Sequence, residues 1–401
     1  MGGIADYSGS LVLQRPIAEA TFAAVQPAEK AVLRIVSSDR TYTGDLSPID
    51  YDEARRMFQG STHWASYVAG IFIVLMRERG AAFSQGANVL ISSSVPEGKG
   101  VASSAALEVA VMQAVTSAFG LQVEPRDMAL LCQKAENLVA GAPCGVMDQM
   151  TSLCGAADSL LVLLCQPAEL QPPVRVPNDI SFWGLDSGER HAVSGSDYGS
   201  VRTGAFMGYR MIAATGDRWG GYLANVSPEE FEREFQSQLP EAIAGAEFLA
   251  RYGATTDTVT KVDPGRTYKV RQPTAHPIYE HHRVKVFRQL LEEASSEEQW
   301  TLLGELMYES HASYSACGLG SRGTDLIAKL VREEGPAHGL YGARITGGGS
   351  GGTVAILGRA DAGSAVARIA ENYERATGHR PHVFSGSSGG ASSFGSLTVN
   401  R

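Results

Sequence analysis

The sequence has few of the features that mark membrane-spanning, secreted or nucleic-acid-binding proteins. Its apolar runs, such as residues 159–165, are far below the roughly 20 residues needed to cross a bilayer. No positively charged segment followed by an apolar one opens the chain, so we predict no secretory signal. The net charge of −9 disfavours a nucleic-acid surface, which is typically basic. It does not argue against a phosphorylated ligand, because backbone N–H groups and a metal ion can hold phosphates.

Cysteine is scarce, and its pattern excludes two common uses of this residue. The chain has five cysteines in 401 residues, an odd number with no C-x-x-C pair. Neither a zinc site nor a disulfide framework is therefore favoured, and we expect a protein of the reducing cytoplasm. Hydrophobic residues make up 44% of the chain and charged residues 19%, which is typical of a globular protein rather than a disordered one.

The pattern of strands and helices predicts an α+β fold. The segment "NVLISSSV" is apolar and β-branched, which predicts a strand, and "PEGKG" after it predicts a turn. An alanine-rich segment with apolar residues at 3–4 spacing follows and predicts a helix that closes at Gly120. A strand, a glycine loop and a helix in this order direct helix N–H groups toward an anion.

The chain is long enough for two lobes. Four prolines close together in residues 167–177 suggest a boundary, so we predict lobes at 1–170 and 171–401. The low-complexity Gly/Ser segment 385–396 is expected to be a flexible end rather than a site.

The loop "PEGKGVASSAALE" is the first candidate site. Gly98 and Gly100 let the backbone approach a ligand, while Ser103 and Ser104 place hydroxyls at the start of the helix. The loop is neither a Walker A sequence, because Gly100 follows the lysine, nor a dinucleotide fingerprint, because Ser103 stands at the third glycine. The alternative is a plain strand–helix turn with a serine N-cap. We favour phosphate binding because the glycines, serines and alanine-rich helix occur together.

Two carboxylates, Glu136 and Asp148, lie on either side of the glycine-rich turn "GAPCG". One carboxylate near Mg²⁺-nucleotide and one near a hydroxyl would suit phosphoryl transfer. The alternative, that both are solvated surface acids, is the commoner case for acidic residues. Asp148 is set apart by its apolar neighbours Val146, Met147 and Met150, which predict partial burial.

Two further segments carry unusual composition. The segment "ITGGGSGGT" has five glycines between predicted strands, more than a hairpin turn needs, and we interpret it as a backbone surface packed against a substrate. The segment "DSGERHAVSGSDYGSVR" collects polar side chains after a strand. Its histidine has no cysteine or histidine at metal-ligand spacing, so we do not interpret it as a ligand. The polar residues are Asp186, Arg190, His191, Asp197, Tyr198 and Arg202.

Taken in order, these segments resemble the signature motifs of the GHMP small-molecule kinases, and of their galactokinase-like branch in particular. "ADYSGSLVLQ" resembles the sugar motif of that branch, "SSVPEGKGVASSAALEVA" its ATP loop, "GAPCGVMDQM" its catalytic segment and "ITGGGSGGTVAIL" its third motif. "THWASYVAG" and "SDYGSVR" also fit, so the likeness covers nearly the whole chain. Within the branch, the amino-acid sequence of these segments is most similar to that of arabinokinases.

This resemblance implies a two-lobed α+β fold. The N-terminal lobe would contain a left-handed β-α-β crossover, an exception to the usual handedness, and the C-terminal lobe would be α/β. The active site would lie in the cleft between the lobes. The resemblance implies a protein that binds a small sugar and ATP, with no nucleic-acid or membrane partner, as a monomer or weak homodimer.

The implied reaction is ATP-dependent phosphorylation of the anomeric hydroxyl of a monosaccharide, with Mg²⁺ as cofactor. Asp148 would act near this hydroxyl as a base or orienting carboxylate, and Ser104 and Glu136 would hold Mg²⁺. The remaining implied contacts are Trp64, Gly98, Gly100, Ser103 and Ser104 for the nucleotide, and Asp6, Gly145, Asp148 and Tyr198 for the sugar.

One departure from the galactokinase pattern bears on the sugar. Galactokinases have a Glu-His pair facing the hydroxymethyl end of the hexose, where this chain has Gly3 and Ile4. A pentose lacks that group and would leave such partners unpaired, which is costly for buried polar groups. We therefore expect L-arabinose as substrate. The alternatives are D-galactose, or a sugar- and ATP-binding regulator without turnover on the same fold.

A second departure concerns the start of the chain. The family has a short strand and a "GR" segment before the sugar motif, with the arginine near the transferred phosphoryl group. Either Met1 is an internal methionine or this arginine is lost and turnover is slow or absent, and we expect the former.

Overall fold

A computed structural model of the chain describes residues 1–38, 40–189 and 196–399, with the side chains of residues 196 and 197 not included. The chain forms two compact units that interleave along the sequence. The first unit contains Met1–Gln14, Gly98–Val101 and Asp158–Gly386, and the second contains Arg15–Glu97, Ala102–Ala157 and Ser387–Arg401. The predicted lobes, 1–170 and 171–401, are continuous in sequence, and their limits stay a prediction.

Strands and helices both occur throughout the described residues, in agreement with the predicted α+β class. The strands are β1 (Leu11–Gln14), β2 (Thr21–Ala28), β3 (Val32–Ser37), β4 (Arg40–Asp45), β5 (Gly86–Ser93), β6 (Ser159–Leu164), β7 (Glu169–Arg175), β8 (Ile180–Asp186), β9 (Ala242–Ala244), β10 (Thr267–Lys269), β11 (Leu340–Ile345), β12 (Thr353–Arg359) and β13 (Val383–Phe384). The helices are α1 (Tyr51–Met57), α2 (Ser66–Arg79), α3 (Ser103–Ala118), α4 (Pro125–Ala135), α5 (Met147–Cys154), α6 (Ser196–Ala213), α7 (Pro228–Glu230), α8 (Gly245–Tyr252), α9 (Arg271–Glu293), α10 (Glu297–Cys317), α11 (Arg322–Glu334), α12 (Gly363–Thr377) and α13 (Ala391–Phe394).

The second unit packs helices against a sheet of strand order β2-β5-β3-β4. Strands β3 and β5 run parallel, whereas β2 and β4 join the sheet antiparallel. Helix α2 carries an apolar stretch from Val68 to Leu75 that is buried almost throughout, and it packs against α3 and α4. Helices of this apolar character gain most of their stability from such burial. The predicted strand–loop–helix around the glycine loop is confirmed as β5 and α3.

The first unit contains a sheet of order β11-β12-β8-β13 and a second sheet of order β1-β6-β7. Strand β1 pairs antiparallel with β6, with Leu11 opposite Leu164, so the start of the chain belongs to this unit. Helix α11 begins at a capping box in which Ser321 and Thr324 exchange hydrogen bonds, and its apolar residues face the core. A buried 3₁₀ segment, Gly3–Ser8, precedes β1 and carries the first motif.

The C-terminal Gly/Ser segment, expected to be flexible, is instead held against the second unit. The Gly390 N–H donates to the Gly155 carbonyl at 2.7 Å, and the Ser392 hydroxyl donates to the Leu153 carbonyl at 2.7 Å. A side chain at Gly390 would clash with the Leu153 carbonyl, so glycine here permits close packing rather than flexibility.

Two expected absences can be compared with the described residues. In that part of the chain no helix combines the length and the apolar character required to cross a membrane. The five cysteines all lie within it and are free thiols.

Candidate active site

The glycine loop after β5 is held by the first unit. Gly98 and Gly100 have φ of +74° and +68°, a conformation that favours glycine. The Thr353 hydroxyl donates to the Lys99 carbonyl at 2.7 Å, and the Thr346 hydroxyl donates to the Gly100 carbonyl at 3.2 Å. The backbone of residues 98–101 is therefore fixed by residues of the third motif.

The glycines of the third motif lie close to other backbone segments of the first unit. A side chain at Gly352 would lie 3.0 Å from the Lys99 carbonyl, and one at Gly347 would lie 3.1 Å from the Gly100 carbonyl. A side chain at Gly349 would lie 2.7 Å from the Leu319 carbonyl. Close approach of protein backbone to protein backbone accounts for these glycines, and the interpretation of the segment as a surface packed against a substrate stays a prediction.

Ser103 and Ser104 begin α3 and are half-buried. The residue that caps the helix is Ala102, in a left-handed conformation with φ +57°, and no side chain caps the first turn. The alternative of a plain serine N-cap is therefore wrong. The uncapped N–H groups and the two hydroxyls at this helix start can donate hydrogen bonds to a phosphate group.

Glu136 lies directly behind this helix start. It is the first residue of a π-helical turn, Glu136–Ala140, that continues α4, and such turns are frequent at functional sites. The Ser104 hydroxyl donates to its carboxylate. The Cys144 thiol and the Gln149 side-chain amide donate to its Oε2 atom at 3.4 Å and 2.5 Å.

Burial raises the pKa of Glu136 to about 7, and the charge of the neighbouring Asp148 also raises it. The hydrogen bonds that Glu136 accepts act in the opposite direction and lower this pKa. A second carboxyl group, Glu108, is fully buried nearby and accepts a bond from the Gln149 amide at 3.1 Å. Burial raises the pKa of Glu108 well above its usual range, and the charge of Glu136 adds to this effect. This concentration of acidic oxygens favours a cation at Glu136.

Asp148 lies in the first turn of α5 and is half-buried, as its sequence neighbours predict. Val146, Met147 and Met150 are all buried around it, and Gly145 before them is half-buried. Asp148 and Glu136 are close enough for their charges to interact. The structure thus brings together Ser104, Glu136 and Asp148.

Trp64 belongs to the same unit, in a 3₁₀ segment before α2. The guanidinium of Arg40 lies 5.3 Å from the centre of its ring and pairs with Glu97 at 2.6 Å. A cation over an indole ring is a favourable contact, so Arg40 orients this tryptophan.

The predicted sugar residues Asp6 and Tyr198 both lie in the first unit. Asp6 is 3% exposed and accepts a bond from the Tyr7 N–H at 2.6 Å. The ring of Tyr198 meets Tyr7 edge-on, with 5.9 Å between ring centres. The first motif therefore places the buried Asp6 carboxylate next to Tyr7, whose ring contacts Tyr198.

Arg202 and Asp257 complete this group and received no role from the sequence. The Arg202 guanidinium lies 5.3 Å from the centre of the Tyr7 ring and donates two 2.8 Å hydrogen bonds to the Asp257 carboxylate. Burial would lower the pKa of Arg202, but Asp257 and the nearby charge of Asp6 raise it overall. Asp257 had no signal in the sequence, because it lies 55 residues away in a segment without a motif. Arg190 and His191 lie outside the described residues, as does the side chain of Asp197.

The site residues fit a nucleotide-bound magnesium ion better than a metal held by protein alone. Among the described residues, no group of three or more histidine, cysteine or acidic side chains has the arrangement to hold a metal ion. Mg²⁺ commonly takes one or two carboxylates and obtains its other ligands from phosphates and water. The Ser104 hydroxyl and the buried Glu136 carboxylate are oxygen donors of this kind.

Comparison with known families identifies the class to which this fold and site belong. The "GHMP kinases N terminal domain" family matches residues 66–156, and the "GHMP kinases C terminal" family matches residues 288–375. The galactokinase of Actinobacillus succinogenes is 33% identical over 345 residues, covering 84% of this chain and 78% of that protein. The chain belongs to the GHMP kinase family, and the resemblance found in its motifs is confirmed.

The individual relatives give finer comparisons. The L-arabinokinase of Arabidopsis thaliana is 46% identical over 477 residues, covering the whole of this chain, while the chain spans only 46% of that protein. The crystal structure of Lactococcus lactis galactokinase with galactose is similar with a TM-score of 0.78 at 23% identity, over 96% of this chain and 90% of that one. A mevalonate kinase from Methanococcus jannaschii gives 0.56 at 13% identity, covering 96% of this chain and 94% of that one. These structures confirm the predicted fold.

Proposed function

We propose that this chain is a sugar 1-kinase that transfers the terminal phosphoryl group of ATP to the anomeric hydroxyl of L-arabinose, giving L-arabinose 1-phosphate. The observation that carries the proposal is the group of Ser104, Glu136 and Asp148 at the uncapped start of α3. Membership of the family supplies ATP as co-substrate. The sugar is inferred from the 46% identity to an L-arabinokinase, which extends over the whole chain.

The nucleotide would be held mainly by backbone groups. Gly98 and Gly100 keep the loop free of side chains that would block the phosphates, and Ser103 offers a hydroxyl at the helix start. Trp64 would flank the adenine, with Arg40 fixing its ring. Phosphoryl transfer depends on positioning and charge stabilisation more than on covalent chemistry, and a preorganised loop supplies the positioning.

Ser104 and Glu136 would hold Mg²⁺, which when bound neutralises charge on the phosphates. The role of Glu136 as an anionic ligand follows from its position, since a cation offsets the burial that otherwise favours its protonated form.

Asp148 would orient the anomeric hydroxyl and accept its proton as the oxygen attacks the phosphorus atom. Asp6, Gly145 and Tyr198 are proposed to contact the sugar. The ring of Tyr7 and the Arg202–Asp257 pair support Asp6 and Tyr198, so the sugar contacts rest on a rigid surround rather than on mobile side chains.

The choice of a pentose rests on Gly3 and Ile4. A side chain at Gly3 would overlap the Tyr314 hydroxyl, which accepts a hydrogen bond from the Ile4 N–H at 2.8 Å and donates one to the Gly347 carbonyl at 3.1 Å. Ile4 itself is 1% exposed. These two positions therefore offer no polar side chain to a hydroxymethyl group, which disfavours D-galactose as the preferred substrate.

An assay of ADP release with a panel of sugars tests the proposal. We expect kcat/KM to be clearly higher with L-arabinose than with D-galactose. A preference for D-galactose would overturn the assignment of the sugar. Binding of ATP and sugar without ADP release from any sugar would overturn the kinase assignment in favour of a regulator. The cytoplasmic location and the monomeric or weakly dimeric state stay predictions.

A further inference from the structure

We propose that Lys99 is a positioning residue, which fixes the backbone of the nucleotide loop through an ion pair with Asp186 and does not bind the nucleotide phosphates itself. The expected effect on ATP binding rests on the proposed function. The contact itself does not, and both Lys99 and Asp186 belong to the first unit. Lys99 is the one basic residue in the sequence from Val95 to Ala118, so it would otherwise be taken for a phosphate ligand.

The partner of Lys99 is a buried carboxylate at the end of β8. Asp186 is 1% exposed, and its Oδ2 atom pairs with the Lys99 ammonium. Its Oδ1 atom accepts the Gly188 N–H at 3.0 Å, and His379 Nε2 lies 3.5 Å from Oδ2. A buried carboxylate needs such partners, because an unpaired charge in the interior is strongly unfavourable. The Lys99 ammonium therefore serves as the counter-charge of Asp186 and is not available to a phosphate group.

Lys99 is held at both ends by neighbouring strands. Thr353 stands opposite Asp186 in the ladder between β12 and β8. The Thr353 hydroxyl binds the Lys99 carbonyl, while the Asp186 carboxylate binds the Lys99 ammonium. Two paired residues of one sheet thus bind Lys99, one at its backbone carbonyl and the other at its side chain, and fix the position of both.

The surroundings of Asp186 leave it little freedom to follow a moving lysine. The Asp186 N–H donates to the His382 carbonyl at 3.0 Å, and the Tyr373 hydroxyl donates to the Ser187 carbonyl at 2.7 Å. A side chain at Gly188 would clash with the His379 ring. The carboxylate is thus a fixed point, and the loop is the element that it positions.

Backbone ¹⁵N relaxation in the nucleotide-free protein tests the anchor directly. We expect Lys99→Met and Asp186→Asn each to lower the order parameters of residues 98–101 from about 0.85 to below about 0.6, because the loop loses one of its tethers. The double variant should be no more mobile than the more mobile single one, and Lys99→Arg should keep most of the order. Lys329→Met, which breaks an exposed pair with Glu333, is the matched control and should change nothing in this loop.

Unchanged order parameters in Lys99→Met would overturn the proposal. This variant suffices even if Asp186→Asn does not fold, because the Lys99 side chain is 29% exposed in the native protein. A phosphate ligand would not order the loop when nucleotide is absent. This measurement needs no turnover, so it separates failure of the anchor from failure of the proposed kinase activity.

Kinetics give the second readout. Both single variants should raise KM for ATP by about tenfold with little change in KM for the sugar, and the double variant should match them rather than multiply their effects. If Lys99 bound phosphate, Lys99→Met would raise KM for ATP while Asp186→Asn would leave it unchanged or lower it. That result would overturn the proposal.

Discussion

Glu136 and Asp148 are carboxylates of the same unit with different surroundings. Glu136 is buried, accepts hydrogen bonds from a hydroxyl, a thiol and an amide, and has a pKa raised to about 7 by its burial. Asp148 is half-buried at the start of a short helix, where it can meet a ligand. Pairs of acids in contrasting environments commonly divide roles, which supports the proposal that Glu136 holds the cation and Asp148 contacts the substrate hydroxyl.

The role of Asp148 can be tested by removing its charge. Asp148→Asn should abolish turnover while leaving sugar and ATP binding largely intact, because the amide keeps the shape but cannot accept the proton. Calorimetric titration and the ADP-release assay measure the two effects. Asp127→Asn, at an exposed acid of α4, is the control and should retain activity. Near-normal turnover in Asp148→Asn would show that the catalytic assignment is wrong.

Glu280 is a buried carboxyl group whose charge stabilises the folded state. It is fully buried in α9, where it pairs with Arg283 and accepts bonds from the Ser310 hydroxyl at 2.7 Å and the Gly2 N–H at 3.0 Å. Burial alone would raise its pKa, but Arg344 and Arg283 hold it well below the usual range. A carboxyl group with a depressed pKa stabilises the folded state above its unfolded pKa, and this contribution is lost as the pH falls.

We expect Glu280→Gln to lower the free energy of unfolding by about 3–5 kcal/mol at neutral pH, because the buried Arg344 and the partly buried Arg283 lose their counter-charge. The difference from the wild type should shrink as the pH falls below about 4, where the unfolded state takes up a proton. Denaturation curves at pH 7 and at lower pH measure this. Glu309→Gln removes an exposed partner of the same Arg283 and should have a small effect. Equal stabilities at neutral pH would contradict the prediction.

Among the elements, the continuation of α4 into a π-helical turn and the start of α5 form one acidic site. Gln149 in α5 is fully buried and donates through one amide nitrogen to Glu136 and to Glu108. The side chain therefore separates two carboxyl groups that would repel each other if both were charged. Gln149 also anchors α5, the helix that carries Asp148 at the preceding position.

Gln149→Leu should lower the free energy of unfolding by about 1–3 kcal/mol, because two buried carboxyl groups lose their shared donor. It should also raise KM for Mg²⁺-ATP, since Glu136 loses the group that orients it. Thermal denaturation and initial rates at varied ATP measure both. Gln133→Leu removes only a bond to the Cys144 carbonyl at 3.3 Å and should have a smaller effect on both. An unchanged KM for ATP would show that Gln149 does not position Glu136.

Local elements were predictable from sequence because short-range chemistry determines them. The strand, loop and helix from β5 to α3 follow from apolar periodicity and glycine, and the half-buried setting of Asp148 follows from its neighbours. Pairings between distant residues carried no such signal. Lys99 and Asp186 are 87 residues apart, and Arg202 and Asp257 are 55 apart. The packed Gly390 was missed because composition suggested flexibility, whereas the Leu153 carbonyl requires a glycine there.

At the scale of the whole molecule, the proposed functional residues are distributed over both units. Asp6, Gly98, Gly100 and Tyr198 belong to the first unit, and the acidic group with Trp64 belongs to the second. The chain leaves the second unit for the first at Gly98 and returns to it after Val101, so the nucleotide loop is a covalent link between them.

The most direct test of the proposed reaction is the identity of its product. The protein is incubated with ATP, Mg²⁺ and L-arabinose, and the product is examined by phosphorus NMR with parallel measurement of ADP. We predict one sugar phosphate per ADP, with the phosphorus coupled to the anomeric hydrogen. ADP formed without a sugar phosphate, or phosphate carried on another hydroxyl, would contradict an anomeric sugar kinase.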